Sequence, residues 1–188
     1  MSLSERKIAK KREDILRSAV KILAEKGFHG TTMEEIAARL LMTKGTPYYF
    51  RDKQDLVFQA QVMLLERSLG LVGAIVGEKV TAEEKLKRAI IAHILSMIEK
   101  RSVLSPGFKP EQVFDGTRLN RIYELRKKYT EGFDRIIGEG MAAGEFSRLD
   151  VKIVRNLLLG AMNWVVTGTP REENWGRKSR RSQSPAID

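Results

Sequence analysis

The segment TTMEEIAARLLMTKGTPYYFRDK, residues 31–53, concentrates side chains that can bind the phosphates and base edges of DNA. Hydroxyl and ammonium groups donate hydrogen bonds to phosphate oxygens, and a tyrosine ring can contact a phosphate or a thymine methyl group. Glycine lets the backbone approach the nucleic acid closely. The candidate DNA-binding residues are Thr43, Lys44, Gly45, Thr46, Tyr48, Tyr49 and Lys53.

Each of these residues also has a purely structural interpretation. Lys44 can be a solvated lysine in the first turn of a helix, and Tyr48 or Tyr49 can pack into a small helical core. Taken singly, the structural interpretation is the better one. Taken together and at helical spacing, the residues favour DNA binding.

The elements that must position these groups are short helices. Thr32 and Glu35 form a capping-box pattern ahead of a helix over about 33–40, and Thr43 caps a helix over 44–50. A longer helix over 6–26 precedes them. Two short helices joined by a tight turn form a helix-turn-helix, whose second helix can enter the major groove with its anion-attracting N-terminus.

The remainder of the chain also has helical periodicity and no convincing strand. Asp52 is expected to cap a helix that Gly70, Gly73 and Gly77 loosen at its end. Thr81 begins the next helix, a long helix ends near residue 144, and a last one covers 149–166. The residues expected to face inward on that last helix are Val154, Leu157, Leu158, Ala161, Met162 and Val165.

The sequence therefore predicts an all-α protein with two domains and a tail. Residues 1–53 form a three-helix helix-turn-helix domain, 54–170 a helical ligand-binding and dimerisation domain, and 171–188 a basic, disordered tail.

Composition narrows the classes of function. The net charge is +10, and residues 1–60 hold 12 Lys and Arg against 8 Asp and Glu, which favours a polyanionic partner. The chain has no cysteine, no leader-like N-terminus and no apolar run of about 18 residues, so we expect a cytoplasmic protein without a membrane partner. Two histidines and no nucleophile or phosphate-loop motif argue against an enzyme, a metal site or a cofactor.

The stretch ILRSAVKILAEKGFHGTTMEEIAARLLMTKGTPYYFRDKQDL, Ile15 to Leu56, resembles the TetR/AcrR family of bacterial transcriptional regulators. The resemblance implies a homodimer that binds a palindromic operator in double-stranded DNA, represses nearby genes and is released by a small molecule. It adds Thr32 to the DNA contacts. It also implies phosphate contacts from Lys10, Lys11 and Arg12.

The sequence departs from the family pattern in three places. Leu41 replaces the usual turn glycine, and a leucine at positive φ costs roughly 1 kcal/mol or more. The segment GTPYYF is one residue shorter than usual and contains Pro47, which leaves the roles of Tyr48 and Tyr49 open. After GAMNWVV, residues 167–188 lack the apolar stripe of a final helix, so we expect a lost or scrambled last helix, or a basic tail that contacts phosphates.

The effector site is expected among the C-terminal helices. Its candidate residues are His93, Met97, Phe108, Phe114, Arg118, Tyr123, Phe133 and Trp164, and ordinary core packing is the alternative for each. Residues 101–129 and 136–164 are similar to the branch of the family that senses acyl-CoA thioesters. That resemblance implies an apolar tunnel with Lys109, Arg118, Arg121 and Arg126 near its mouth for the CoA phosphates; a solvated helix face explains the same residues.

Two other functions remain open from the sequence. A sequence-independent nucleic-acid-binding protein would explain the charge but not the capped helix-turn-helix. A helical interaction protein with impaired DNA binding would explain the three departures.

Overall fold

A computed structural model describes residues 2–39, 50–99 and 109–168, and over these ranges the chain is all-helical, as predicted. The helices are α1 (Leu3–Lys26), α2 (Met33–Arg39), α3 (Lys53–Val76), α4 (Ala82–Glu99), α5 (Gly116–Ala142) and α6 (Val151–Gly168), with a 3₁₀ turn at Pro110–Gln112. The predicted helix over 44–50 lies outside the described residues except for Phe50, which is not helical. Leu41, Pro47 and the tail also lie outside them.

Helix α1 begins three residues earlier than predicted. Ser2 caps it: the Ser2 hydroxyl accepts from the Glu5 amide at 3.2 Å, and the Glu5 carboxylate accepts from the Ser2 amide at 2.7 Å. This reciprocal arrangement satisfies two backbone donors that the first turn leaves open. The Ser-x-x-Glu spacing was therefore a helix-start signal in the sequence.

Helix α3 continues through Gly70 and Gly73 to Val76, so the prediction that glycines loosen its end was wrong. Val72 and Ile75 are buried and hold the last turns against the neighbouring helices. A Cβ added at either glycine would meet no atom of the described residues within 4 Å, so neither glycine contacts a packing partner among them. Burial of the opposite face outweighs the low helix propensity of glycine here.

Helix α6 begins at Val151, two residues later than predicted, because Asp150 caps it by accepting from the Ile153 amide at 3.0 Å. Met162 is buried as predicted. The inward placement of three other residues was wrong, since Leu157 and Val165 are 69% and 50% exposed and Ala161 is also exposed. The helix is apolar on two faces, and only one of them packs against the other described helices.

Helix α3 joins the two halves of the molecule. Its first turns pack with α1 and α2 in one apolar cluster that also contains Phe114, Ile122 and Leu125 from the α5 region. Its last turns pack with α4, α5 and α6 in a second cluster around Phe133. The predicted boundary at residue 53 falls in the first turn of this shared helix. No helix in the described ranges has the length and apolarity needed to cross a membrane.

Candidate functional site

The turn between α1 and α2 is fixed by backbone conformation and one buried hydroxyl. Gly27 ends α1 at a φ of 73°, a conformation that favours glycine. The fully buried Thr31 donates a hydrogen bond from its hydroxyl to the Gly27 carbonyl at 2.8 Å. These two residues set the direction in which α2 leaves α1.

Thr32 caps α2 as predicted, accepting from the Glu35 amide at 3.2 Å. The expected return bond from Glu35 does not form, because the Glu35 carboxylate pairs with the Lys26 ammonium at the end of α1. A second ion pair, Arg39 with Glu25 at 2.6 Å, joins the same end of α1 to the last residue of α2. Thr32 is exposed and remains available to a partner.

Lys53, a candidate phosphate contact, holds the α1–α2 turn against the start of α3. Its ammonium donates to the carbonyls of Phe28 and Thr31, each at 2.9 Å, and lies 4.3 Å from the centroid of the Phe28 ring. An ammonium has three N–H donors, so one stays available for a phosphate. The structure thus gives Lys53 a structural role that the sequence did not predict.

The other predicted base and phosphate contacts of this unit, Thr43, Lys44, Gly45, Thr46, Tyr48 and Tyr49, lie outside the described residues. The residues that flank them are well anchored. Phe50 is buried beneath the Arg12 guanidinium, 5.5 Å from the ring centroid, and Asp52 caps α3 by accepting from the Asp55 amide at 2.7 Å. Lys10 and Lys11 are exposed on α1.

A polar cluster lies inside the C-terminal helices. His93 of α4 is 8% exposed; its Nδ1 is 2.8 Å from the Tyr129 hydroxyl of α5, and its Nε2 is 3.3 Å from Oδ1 of Asn163 on α6. With the amide oxygen as acceptor, Nε2 carries the proton and Nδ1 accepts from the tyrosine, an assignment that follows from these partners. Burial raises the pKa of the Tyr129 hydroxyl, which favours its neutral form.

The predicted effector residues fall into three places. His93 and Phe133 are in contact, with ring centroids 6.4 Å apart, and Met97 is buried one turn further along α4. Phe114 and Arg118 instead meet at Phe58 near the start of α3, both 5.8 Å from its ring centroid. Tyr123 and Trp164 are 44% and 74% exposed, so the structure does not bring them to a buried site. Phe108 lies outside the described residues.

The basic residues proposed for the tunnel mouth differ in their partners. Arg118 lies 3.8 Å from the Asp55 carboxylate, and Arg121 binds Glu66 at 2.9 Å, so both join α5 to α3. Arg126 forms no ion pair with any other described residue. Desolvation lowers its pKa, with smaller opposing effects from Tyr123 and Glu111. Lys109 is exposed before the 3₁₀ turn.

Sequence reasoning missed Tyr129, Asn163 and Asp55. Asn163 is a polar residue within the apolar run of α6 and Tyr129 lies on the inner face of α5, so each carried a weak signal. Asp55 carried no such signal, because its ion-pair partner, Arg118, is distant in sequence. Within the described ranges, no group of three or more His, Asp or Glu side chains is placed to hold a metal ion.

Comparison with known proteins agrees with this architecture. The N-terminal domain described as "Bacterial regulatory proteins, tetR family" matches residues 15–60, and the "Tetracyclin repressor-like, C-terminal domain" matches residues 79–167. The Fatty acid metabolism regulator protein of Bacillus subtilis (strain 168) is 30% identical over 156 residues, 81% of this chain and 80% of that protein.

Two solved structures share the fold and part of the sequence. The regulator FadR from Bacillus subtilis in complex with stearoyl-CoA is 27% identical, with a TM-score of 0.66 over 89% of this chain and 88% of that one. The fatty acid degradation regulator FadR from Bacillus halodurans is 25% identical, with a TM-score of 0.69 over 83% and 85%. With its DNA-binding domain, its regulatory C-terminal domain and a curated relative over four-fifths of its length, this chain belongs to the TetR family of bacterial regulatory proteins.

Proposed function

We propose that this chain is a homodimeric repressor that binds a palindromic operator and leaves it when a long-chain acyl-CoA thioester binds the C-terminal helices. The observation that carries the proposal is the relative named a fatty acid metabolism regulator, 30% identical over most of both chains. A protein 27% identical was solved in complex with stearoyl-CoA, which supports a long-chain acyl-CoA as the ligand class. Because its DNA target lies in the bacterial cytoplasm, the chain acts there.

The second copy would dock on the exposed apolar face of α6. Ile153, Leu157 and Trp164 are each more than 60% exposed, and with Gly160 they follow one another at spacings of four, three and four residues. That spacing is the seam of a helix pair. No atom of the described residues lies within 4 Å of the position of an added Gly160 Cβ, so a partner helix can come close there.

Inside the C-terminal helices, the effector would meet both apolar and polar groups. Phe133 and Met97 supply apolar surface near the cluster of His93, Tyr129 and Asn163, which can exchange a hydrogen bond with a ligand carbonyl. Arg126 is the guanidinium best placed for a phosphate, since Arg118 and Arg121 already bind carboxylates on α3.

Release would pass through the contacts between α5 and the start of α3. Arg118 contacts the Asp55 carboxylate, and the same carboxylate accepts from the Arg51 amide at 3.1 Å. A ligand that shifts α5 would therefore change the first turn of α3, where Lys53 holds the α1–α2 turn.

The test is a titration of DNA from upstream of the chain's own gene with the protein, at two salt concentrations and with excess unrelated DNA. We expect salt-sensitive binding that survives the competitor, protection of one palindromic site, and release by stearoyl-CoA but not by CoA. If excess unrelated DNA competes away the binding to the upstream DNA, the chain is a sequence-independent DNA-binding protein and not a repressor.

A matched pair of variants tests the effector site in the same assay. Arg126→Gln should raise the stearoyl-CoA concentration for half-release about tenfold, because a charged contact to phosphate is lost. Arg135→Gln, an exposed arginine on the same helix, should leave it unchanged. If the chain binds its operator specifically but stearoyl-CoA does not release it, the repressor function stands and the acyl-CoA effector is wrong.

A further inference from the structure

A hollow of about 390 Å³ lies where α1 and α3 cross, and its lining residues belong to these two helices. Its floor is apolar and consists of Val20, Met63 and Leu64, of which Val20 and Leu64 are 8% and 5% exposed. Small-molecule sites in proteins begin at about 300 Å³ and are mostly apolar with a few charged groups. The hollow meets this description.

The rim of the hollow is basic. Lys21 of α1 and Arg67 of α3 stand on it, and neither forms an ion pair with any other described residue. The one carboxylate of the rim, Glu13, binds Arg17 at 2.6 Å. Two positive charges are therefore left without a carboxylate above an apolar floor.

A second hollow of about 530 Å³ continues the first along α1, and the two share Glu13 and Met63. Its apolar wall includes Ile8, which is 53% exposed, and Val62. Its lining carries the carboxylates of Glu5 and Glu66 together with the Arg12 guanidinium, and Glu66 is already paired with Arg121 at 2.9 Å. Glu5 and Arg12 offset one another at this end, whereas Lys21 and Arg67 leave an excess of positive charge at the other, which is therefore the preferred end for an anionic group.

We propose that this groove binds an amphipathic anion, an apolar chain that ends in a carboxylate or a phosphate. The anionic end lies between Lys21 and Arg67, and the chain crosses Met63 toward Ile8. The ligand would touch the DNA-binding unit through α1 and the C-terminal domain through α3. The site is separate from the cluster around His93, and its test uses neither DNA nor an acyl-CoA, so its failure and that of the proposed function are distinguishable.

The experiment is a titration of the full chain, labelled with ¹³C at its methionine methyl groups, with decanoate, decyl phosphate and decan-1-ol. Substitution Met63→Leu assigns the Met63 signal. We expect decanoate or decyl phosphate to shift Met63 in a saturable way, with Met97 and Met162 unmoved. A stronger effect of one anion identifies the carboxylate or the phosphate as the natural end group.

The variants separate charge recognition from apolar binding. Lys21→Ala with Arg67→Ala should weaken decanoate binding about tenfold, because two charged contacts are lost at an exposed rim. Lys128→Ala with Arg135→Ala, one lysine and one arginine exposed on α5, should bind as the unaltered chain does. Absence of any Met63 shift, shifts confined to Met97 and Met162, or equal binding of decan-1-ol would overturn the proposal.

Discussion

At the scale of the residue, Lys53 shows how one side chain can combine a structural role with a surface one. Its two carbonyl contacts close the α1–α2 turn on α3, and the Phe28 ring covers part of its ammonium. A lysine at this position was read from the sequence as a phosphate contact only. Hydrogen bonds to backbone carbonyls leave no pattern in side-chain types, so the structural role could not have been inferred.

Lys53→Met should lower the free energy of unfolding by about 1–3 kcal/mol, because two half-buried carbonyls lose a charged donor. The measurement is urea denaturation followed by far-UV circular dichroism. Lys128→Met, an exposed lysine on α5, is the matched control and should change stability little. Equal midpoints for the two variants would show that water replaces the ammonium at no cost.

The buried hydroxyl of Tyr129 leads to a prediction about the stability of the folded state at alkaline pH. Burial raises the pKa of its hydroxyl above the usual value of 10.0, so the folded state holds the proton more tightly than the unfolded chain. Its contribution to stability is therefore complete below about pH 10 and is lost as the pH rises beyond the unfolded pKa.

Absorbance at 295 nm should show that one of the four tyrosines ionises later than the others or only with unfolding. Tyr129→Phe should remove that late step, whereas Tyr123→Phe should remove an earlier one, since Tyr123 is 44% exposed. A late step that survives Tyr129→Phe would place the protected hydroxyl elsewhere.

At the scale of the element, helical periodicity predicted the existence and type of the described helices because it repeats over many residues. Their first turns depend on single caps: Ser2 with Glu5 was overlooked, while Asp52 and Thr81 were recognised. The faces of α6 could not be assigned, because Leu157, Ala161 and Val165 are as apolar as the buried Met162. An apolar stripe in a sequence does not distinguish a helix face that packs within the chain from one that packs against a second copy.

Leu157→Glu should convert the dimer to a monomer, since the charge would be placed in the centre of the proposed α6 interface. Sedimentation equilibrium measures the outcome. Lys152→Glu, an exposed change on the same helix, serves as the control and should leave the dimer intact. A Leu157→Glu chain that stays dimeric would move the interface away from α6.

At the scale of the whole molecule, α3 and α5 connect the effector domain with the DNA-binding unit through two ion pairs. Arg118 reaches Asp55 in the first turn of α3, whereas Arg121 reaches Glu66 three turns later. The sequence showed four basic residues near the expected tunnel mouth and could not distinguish them, because the α3 carboxylates that pair with Arg118 and Arg121 lie more than fifty residues away.

Arg118→Gln should raise the concentration of stearoyl-CoA that half-releases the operator by about fivefold, the lower end of typical coupling between sites. Arg121→Gln removes a comparable pair between the same helices and should have a smaller effect. Fluorescence anisotropy of labelled operator DNA gives both values. If both variants raise the half-release concentration equally, the coupling depends on the packing of α5 against α3 as a whole and not on the contact with the first turn of α3.

The shared helix α3 has a consequence for cutting and recombining the chain. Leu56, Val57, Ala60 and Leu64 complete the apolar cluster of α1 and α2, and all of them follow residue 53. A fragment that stops at residue 53 would expose that cluster to water and should not fold alone. Chimeras that exchange sensing modules between relatives should therefore be joined after residue 76, and intact chains should melt in a single cooperative transition.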